Sequence, residues 1–112
     1  MNYQKVYISL GVMVLAIICV ALFWKNALFL ILLLGGLAYL KNLMLPIKKA
    51  WIWFIIIGLI GAFGESLIML GGAWSYSETQ ILNFPLWLPF LWGLAGAVGV
   101  SLYQSINENR IK

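Results

Sequence analysis

The chain has 112 residues, of which 64% are hydrophobic and 9% charged, with a mean hydropathy of +1.02 and a formal net charge of +4. Soluble domains carry about 25% charged residues, and a domain this short buries only about 60–70% of its chain surface. These figures exclude a soluble enzyme, a nucleic-acid-binding domain and a disordered segment, and leave a small integral membrane protein.

Four apolar runs follow one another. The first covers about 6–23 and ends at Trp24-Lys25-Asn26. The second covers about 27–45, carries Lys41 and Asn42 near its end, and stops at Pro46. The third covers about 50–73 and contains one charge, Glu65. The fourth covers about 86–103, before a polar tail over 104–112. At about 1.5 Å per residue, each can cross a hydrocarbon core about 30 Å thick. The pattern predicts an all-α fold: four transmembrane helices in a small antiparallel bundle, forming one domain over 1–112. The first run has the short basic start of a signal peptide, with small residues at Cys19 and Ala21. It stays apolar through Phe23 and is read as an uncleaved span. The lone Cys19 lies in that run as a small hydrophobe.

Charge placement predicts orientation. Lys5, Lys48, Lys49, Arg110, Lys112 and Lys41 fall on one side, and Lys25 alone on the other. The positive-inside rule puts both termini in the cytoplasm of a multi-pass protein of the inner (plasma) membrane. Lys41, about one turn from the end of its span, is expected to snorkel to the interface. The cations form no basic face, so the expected partner is the lipid bilayer and not nucleic acid. With no histidine and one cysteine, no metal and no cofactor are expected.

Glu65 stands out. It lies about 15 residues into its span, roughly 22 Å by helical rise. A carboxylate inside a bilayer costs about 2.5–3.5 kcal/mol on insertion scales, and such residues are functional by default. At about 100° per residue it shares a stripe with Gly58, Gly61, Ala62, Met69 and Gly72. Gly93, Gly96 and Ala97 form a matching stripe in the fourth run, with Gly99 nearby, and Gly35 and Gly36 lie in the second. Small residues let membrane helices approach closely, so these are the expected helix-packing positions. The purely structural alternative has Glu65 hydrogen-bonded to Ser66, Tyr76 or a backbone carbonyl.

The stretch from Trp74 to Trp92 holds six aromatics and two prolines in 19 residues. An interfacial aromatic belt explains anchoring residues such as Trp24, Tyr39, Trp51 and Trp53. The prolines ask for more. Pro85 suits the first turn of the fourth helix, and Pro89, one turn inside, is expected to free a carbonyl and kink it. Together these features predict an outer pocket, with Glu65, Met69, Trp74, Tyr76, Trp87 and Trp92 as candidate ligand-binding residues and Glu65 as the candidate catalytic one.

The run Glu65-x8-Trp74-x-Tyr76-x8-Pro85-x-Trp87-x-Pro89-x2-Trp92-Gly93 resembles a pattern in small bacterial polytopic membrane proteins of unassigned function. It is also loosely similar to carotenoid-biosynthesis membrane proteins of the carotenoid hydratase type. That resemblance covers about 30 residues, and the hydratases are longer, with more spans. It implies Glu65 as proton donor to a polyene, with Trp74 and Tyr76 steadying positive charge. Length, span number and a lone membrane glutamate are likewise similar to those of the small multidrug resistance exporters, whose glutamate lies in the first span and not the third.

Three functions follow as expectations. The first is a lipophilic-ligand-binding or accessory (scaffold) protein with an outer-leaflet site around Glu65 and residues 74–92. The second is a small proton-coupled transporter using Glu65. The third is an isoprenoid-, carotenoid- or lipid-active enzyme with Glu65 as general acid. A lipophilic small molecule is the expected partner, and a homodimer or larger membrane complex is compatible with the small volume of one four-helix unit.

Overall fold

The computed structural model describes residues 2–107. The predicted tail residues Glu108, Arg110 and Lys112 lie outside them. Four helices account for most of the chain: α1 (Tyr3–Phe23), α2 (Ala27–Met44), α3 (Ala50–Met69) and α4 (Leu88–Ile106). Among the described residues there is no named strand, only an isolated bridge between Ile81 and Phe84.

Local chemistry sets the helix ends. Asn2 caps α1, its side-chain oxygen accepting from the Lys5 N–H at 3.2 Å. Asn26 caps α2 in the same way, accepting from Phe29 at 3.1 Å. Each cap satisfies one of the donors a helix start leaves free. Pro46 restricts Leu45 to extended backbone, and Leu45 sits at φ −133°, just past the end of α2. α3 stops at Met69, short of the expected 73, because Gly72 turns the chain at φ +83°.

The fourth helix differs most from expectation. It starts at Leu88, so Pro89 falls in the first turn and Pro85 precedes the helix. A missing N–H costs nothing in the first turn, so Pro89 starts α4 and does not kink it. The Pro85 carbonyl accepts from the Leu88 N–H at 3.1 Å.

α4 is the central helix and packs against each of the other three, whereas α3 packs mainly on α4. Its Leu88, Gly93, Leu94, Ala97, Val98, Ser101 and Ser105 are buried. This position accounts for its composition. A helix covered by neighbours has little lipid to face, and α4 is the least clearly membrane-spanning of the four. The other three, of 21, 18 and 20 residues, are long and apolar enough to cross a membrane. Large apolar side chains such as Leu10, Ile17, Leu22, Leu28, Leu32, Ile56 and Ile60 are exposed along them. An apolar surface of that extent is untenable in water and suits lipid. The molecule is a helical membrane protein.

Close approach between α3 and α4 depends on glycine. A Cβ on Gly58 would lie 2.6 Å from the Pro89 carbonyl oxygen, and one on Gly93 would lie 2.7 Å from that of Phe54. A Cβ on Gly96 would meet the Ile57 side chain at 2.6 Å, and one on Gly61 would overlap the Trp92 ring. Ala62 and Ala97 are buried. Gly72 is not a packing residue: it lies beyond the helix, in open space, and serves the turn. Gly99 on α4 faces open space, and so do Gly35 and Gly36, because α2 meets its neighbours through Leu30, Leu34 and Lys41 instead. On α1 the buried positions are Ser9, Val12 and Ala16.

Both termini of the bundle lie at one end. The Asn2 N–H donates to the Ser105 carbonyl at 2.9 Å, joining the start of α1 to the end of α4. The opposite end carries the short 24–26 turn and the long 70–87 connection.

Candidate functional site

The 70–87 connection is held to the bundle by two side chains that are neighbours in sequence. Glu65 and Ser66 both lie in the last turns of α3, where only about 6 Å of helix remains beyond Glu65. They point to different partners, as successive helix positions must.

Glu65 gathers three aromatic donors. Its Oε1 accepts from the Tyr76 hydroxyl at 2.5 Å and from the Trp74 indole Nε1 at 3.3 Å. Its Oε2 accepts from the Trp92 indole Nε1 at 2.5 Å. An indole N–H can only donate and a carboxylate only accepts, so the pairing is complete in direction. Hydrogen bonds to a charged group are the strong ones. Glu65 is half-buried, while Trp74 and Trp92 keep an exposed edge. The open space at Gly61 admits the Trp92 ring, and this brings the indole within reach of the carboxylate.

Ser66 is not a partner of Glu65. Its hydroxyl donates to Asn83 Oδ1 at 2.5 Å, and Asn83 Nδ2 donates back to the Ser66 carbonyl at 3.1 Å. This reciprocal pair anchors a tight turn in which Leu82 adopts φ +48° and Ile81 and Phe84 exchange backbone hydrogen bonds. Phe84 is buried beneath it, edge-on to Phe63 at 5.6 Å.

The Glu65 clamp also fixes the Tyr76 ring. Tyr76 meets Trp87 edge-on, with centroids 5.9 Å apart and an interplanar angle of 89°. Trp87 is 5% exposed and sits immediately before α4. Burial, and then the hydrogen bond to Glu65, push the Tyr76 phenol above the ordinary tyrosine range.

Tyr76 and Trp87 form one wall of a cleft of about 300 Å³, completed by Trp24, Val20 and Ala21 from the end of α1 and by Ser75, Ser77 and Glu78 from the connection. It is within the size range of small-ligand pockets. Lys25 lies over the Trp24 ring, 5.3 Å from its centroid.

The structure therefore divides the six predicted ligand-binding residues. Glu65, Trp74, Tyr76 and Trp92 form one hydrogen-bonded cluster. Trp87 stands behind Tyr76, and Met69 is buried in the core. Trp24, Glu78 and Asn83 were not singled out by sequence. Trp24 reads as a belt residue and Asn83 as an ordinary loop amide until the fold brings them to their partners.

No protein-family model, curated protein or solved structure matches the chain.

Proposed function

We propose that this membrane protein binds a lipophilic ligand in the cleft at the outer end of the bundle, and that Glu65 is a positioning residue for that cleft. One observation carries the reading: three donors from the connection and α4 converge on one carboxylate, and one of them, Tyr76, is itself a cleft wall. Aromatic walls suit an apolar body, and Ser75, Ser77 and Glu78 suit a small polar or cationic head. With both carboxylate oxygens engaged, Glu65 supports rigidity better than it supports proton release to a substrate or across the membrane. On this reading the protein is a binding or accessory component, and the positive-inside distribution supports a cleft that opens outside the cytoplasm.

Native mass spectrometry after extraction in mild detergent tests the proposal. The wild-type protein should retain a lipophilic species that Trp87→Ala loses. Equal retention by both proteins, or none by the wild type, would refute it.

A further inference from the structure

The opposite half of the bundle holds a second feature, independent of the cleft. Lys41 is expected from sequence to snorkel to the interface, but its side chain is 0% exposed. Its Nζ has no hydrogen-bond partner among the described residues. Burying an ammonium group without a counter-charge is strongly unfavourable. Glu65 and Glu78 belong to the other end of the bundle.

Lys41 lines a groove of about 350 Å³ between α2, α3 and α4, whose apolar walls include Ala38, Phe54, Ile55 and Phe90. Tyr39 and Trp51, also in its lining, are 70% and 68% exposed and so stand toward lipid. Asn42 shares the lining; its Oδ1 accepts from the Ile47 N–H at 3.3 Å, which leaves the amide Nδ2 as a donor. Lys41 is three residues before the end of α2, about 5 Å by helical rise. That is the depth of a lipid headgroup junction and not of the bilayer centre. Lys48 and Lys49 are exposed in the turn just beyond. Basic pockets between membrane helices bind acidic headgroups, and nearby lysines attract them.

We infer that this groove binds one anionic phospholipid, with a headgroup phosphate oxygen on the Lys41 ammonium and an acyl chain along Phe54, Ile55 and Phe90. The lipid supplies the counter-charge that the described residues withhold. Lys48 and Lys49 raise its local concentration.

The test is native mass spectrometry of the full chain in mild detergent with equal amounts of phosphatidylglycerol and phosphatidylcholine. The wild type should retain one phosphatidylglycerol in preference. Lys41→Met should reduce that retention about fivefold or more, and Lys41→Arg should keep it. Equal retention of the two lipids by wild type, or undiminished phosphatidylglycerol on Lys41→Met, would overturn the inference. Complete displacement by sodium oleate or by inorganic phosphate at equal concentration would also overturn it, since either would make a fatty acid or a free anion the occupant. If Lys41→Met does not assemble, Ala38→Trp decides: it fills the groove, leaves the charge in place, and should abolish retention. Trp87→Ala should leave phosphatidylglycerol retention unchanged, which keeps this site separate from the outer cleft.

Discussion

Glu65 and Trp92, 27 positions apart in the chain, are joined by a 2.5 Å hydrogen bond from the indole Nε1 to Oε2. The bond crosses the α3–α4 interface at the place where Gly61 leaves room for the ring. It closes a knot that also holds Trp74 and Tyr76, so the end of α3, the start of α4 and the connection between them are tied to one carboxylate.

Removing the carboxylate should loosen all three. Glu65→Gln keeps one acceptor oxygen and introduces a donor where the structure needs an acceptor. Leaving a donor unsatisfied costs about 1–3 kcal/mol when buried, and this site is only half-buried, so a loss near 1 kcal/mol is expected. Thermal unfolding in detergent should show a lower Tm for Glu65→Gln and a still lower one for Glu65→Leu. An unchanged Tm in both would mean that the hydrogen bonds do not contribute.

Tyr76 gives a pH signature. Its phenol is pushed up by burial and by Glu65, so it stays protonated where an ordinary tyrosine, with a pKa of about 10, is half ionised. A raised folded-state value stabilises the fold fully below the unfolded value of about 10, and that contribution is lost as pH rises from there through the folded value. The ultraviolet phenolate difference between wild type and Tyr76→Phe should therefore be near zero at pH 10. A half-ionised residue's worth of difference at that pH would contradict the clamp.

The glycines should separate into two classes. Gly93→Leu must displace the Phe54 carbonyl, and Gly58→Leu that of Pro89. Backbone cannot yield as a side chain does, so each should cost at least about 1–3 kcal/mol and lower the yield of assembled protein on gel filtration. Gly96→Leu meets the Ile57 side chain first, at its Cδ1, Cγ2 and Cβ, so it should also destabilise, though less than a change that must displace backbone. Gly36→Leu enters open space and should be silent or slightly stabilising, since glycine costs a helix about 1 kcal/mol. Equal damage at Gly36 and Gly93 would remove the packing account.

The Ser66–Asn83 pair should govern the turn alone. Asn83→Ala should speed proteolytic nicking or amide exchange around 81–84 while leaving the Glu65 knot and the bundle intact. Unchanged exchange there would show that the buried Phe84 suffices to hold the turn.

The helices were legible because each is a long apolar run bounded by Asn26, Pro46 or a glycine turn. Glycine pairs on α3 and α4 were legible because helical spacing places them on facing stripes. Glycine on α2 was misleading, since a small residue permits close approach without causing it, and α2 packs through leucines. A proline near the start of a run signals a helix start or a kink equally well, and only the position of Leu88 shows that Pro89 starts α4. Snorkelling is the usual solution for a long cation, and only the fold shows Lys41 buried in the lining of the groove between α2, α3 and α4. Glu65 and Tyr76 were visible as candidates, but the direction of their bond, the partnership with Trp92 and the role of Asn83 depend on tertiary placement.

The most direct test of the central claim is a double-mutant cycle on ligand retention using Glu65→Gln, Trp92→Phe and the pair, read by native mass spectrometry. If Glu65 acts by positioning, each single change should weaken retention and the double variant should be little worse than either one. If Glu65→Gln abolishes retention or activity while Trp92→Phe leaves it intact, or if the two effects simply add, the carboxylate works on its own and the positioning account is wrong.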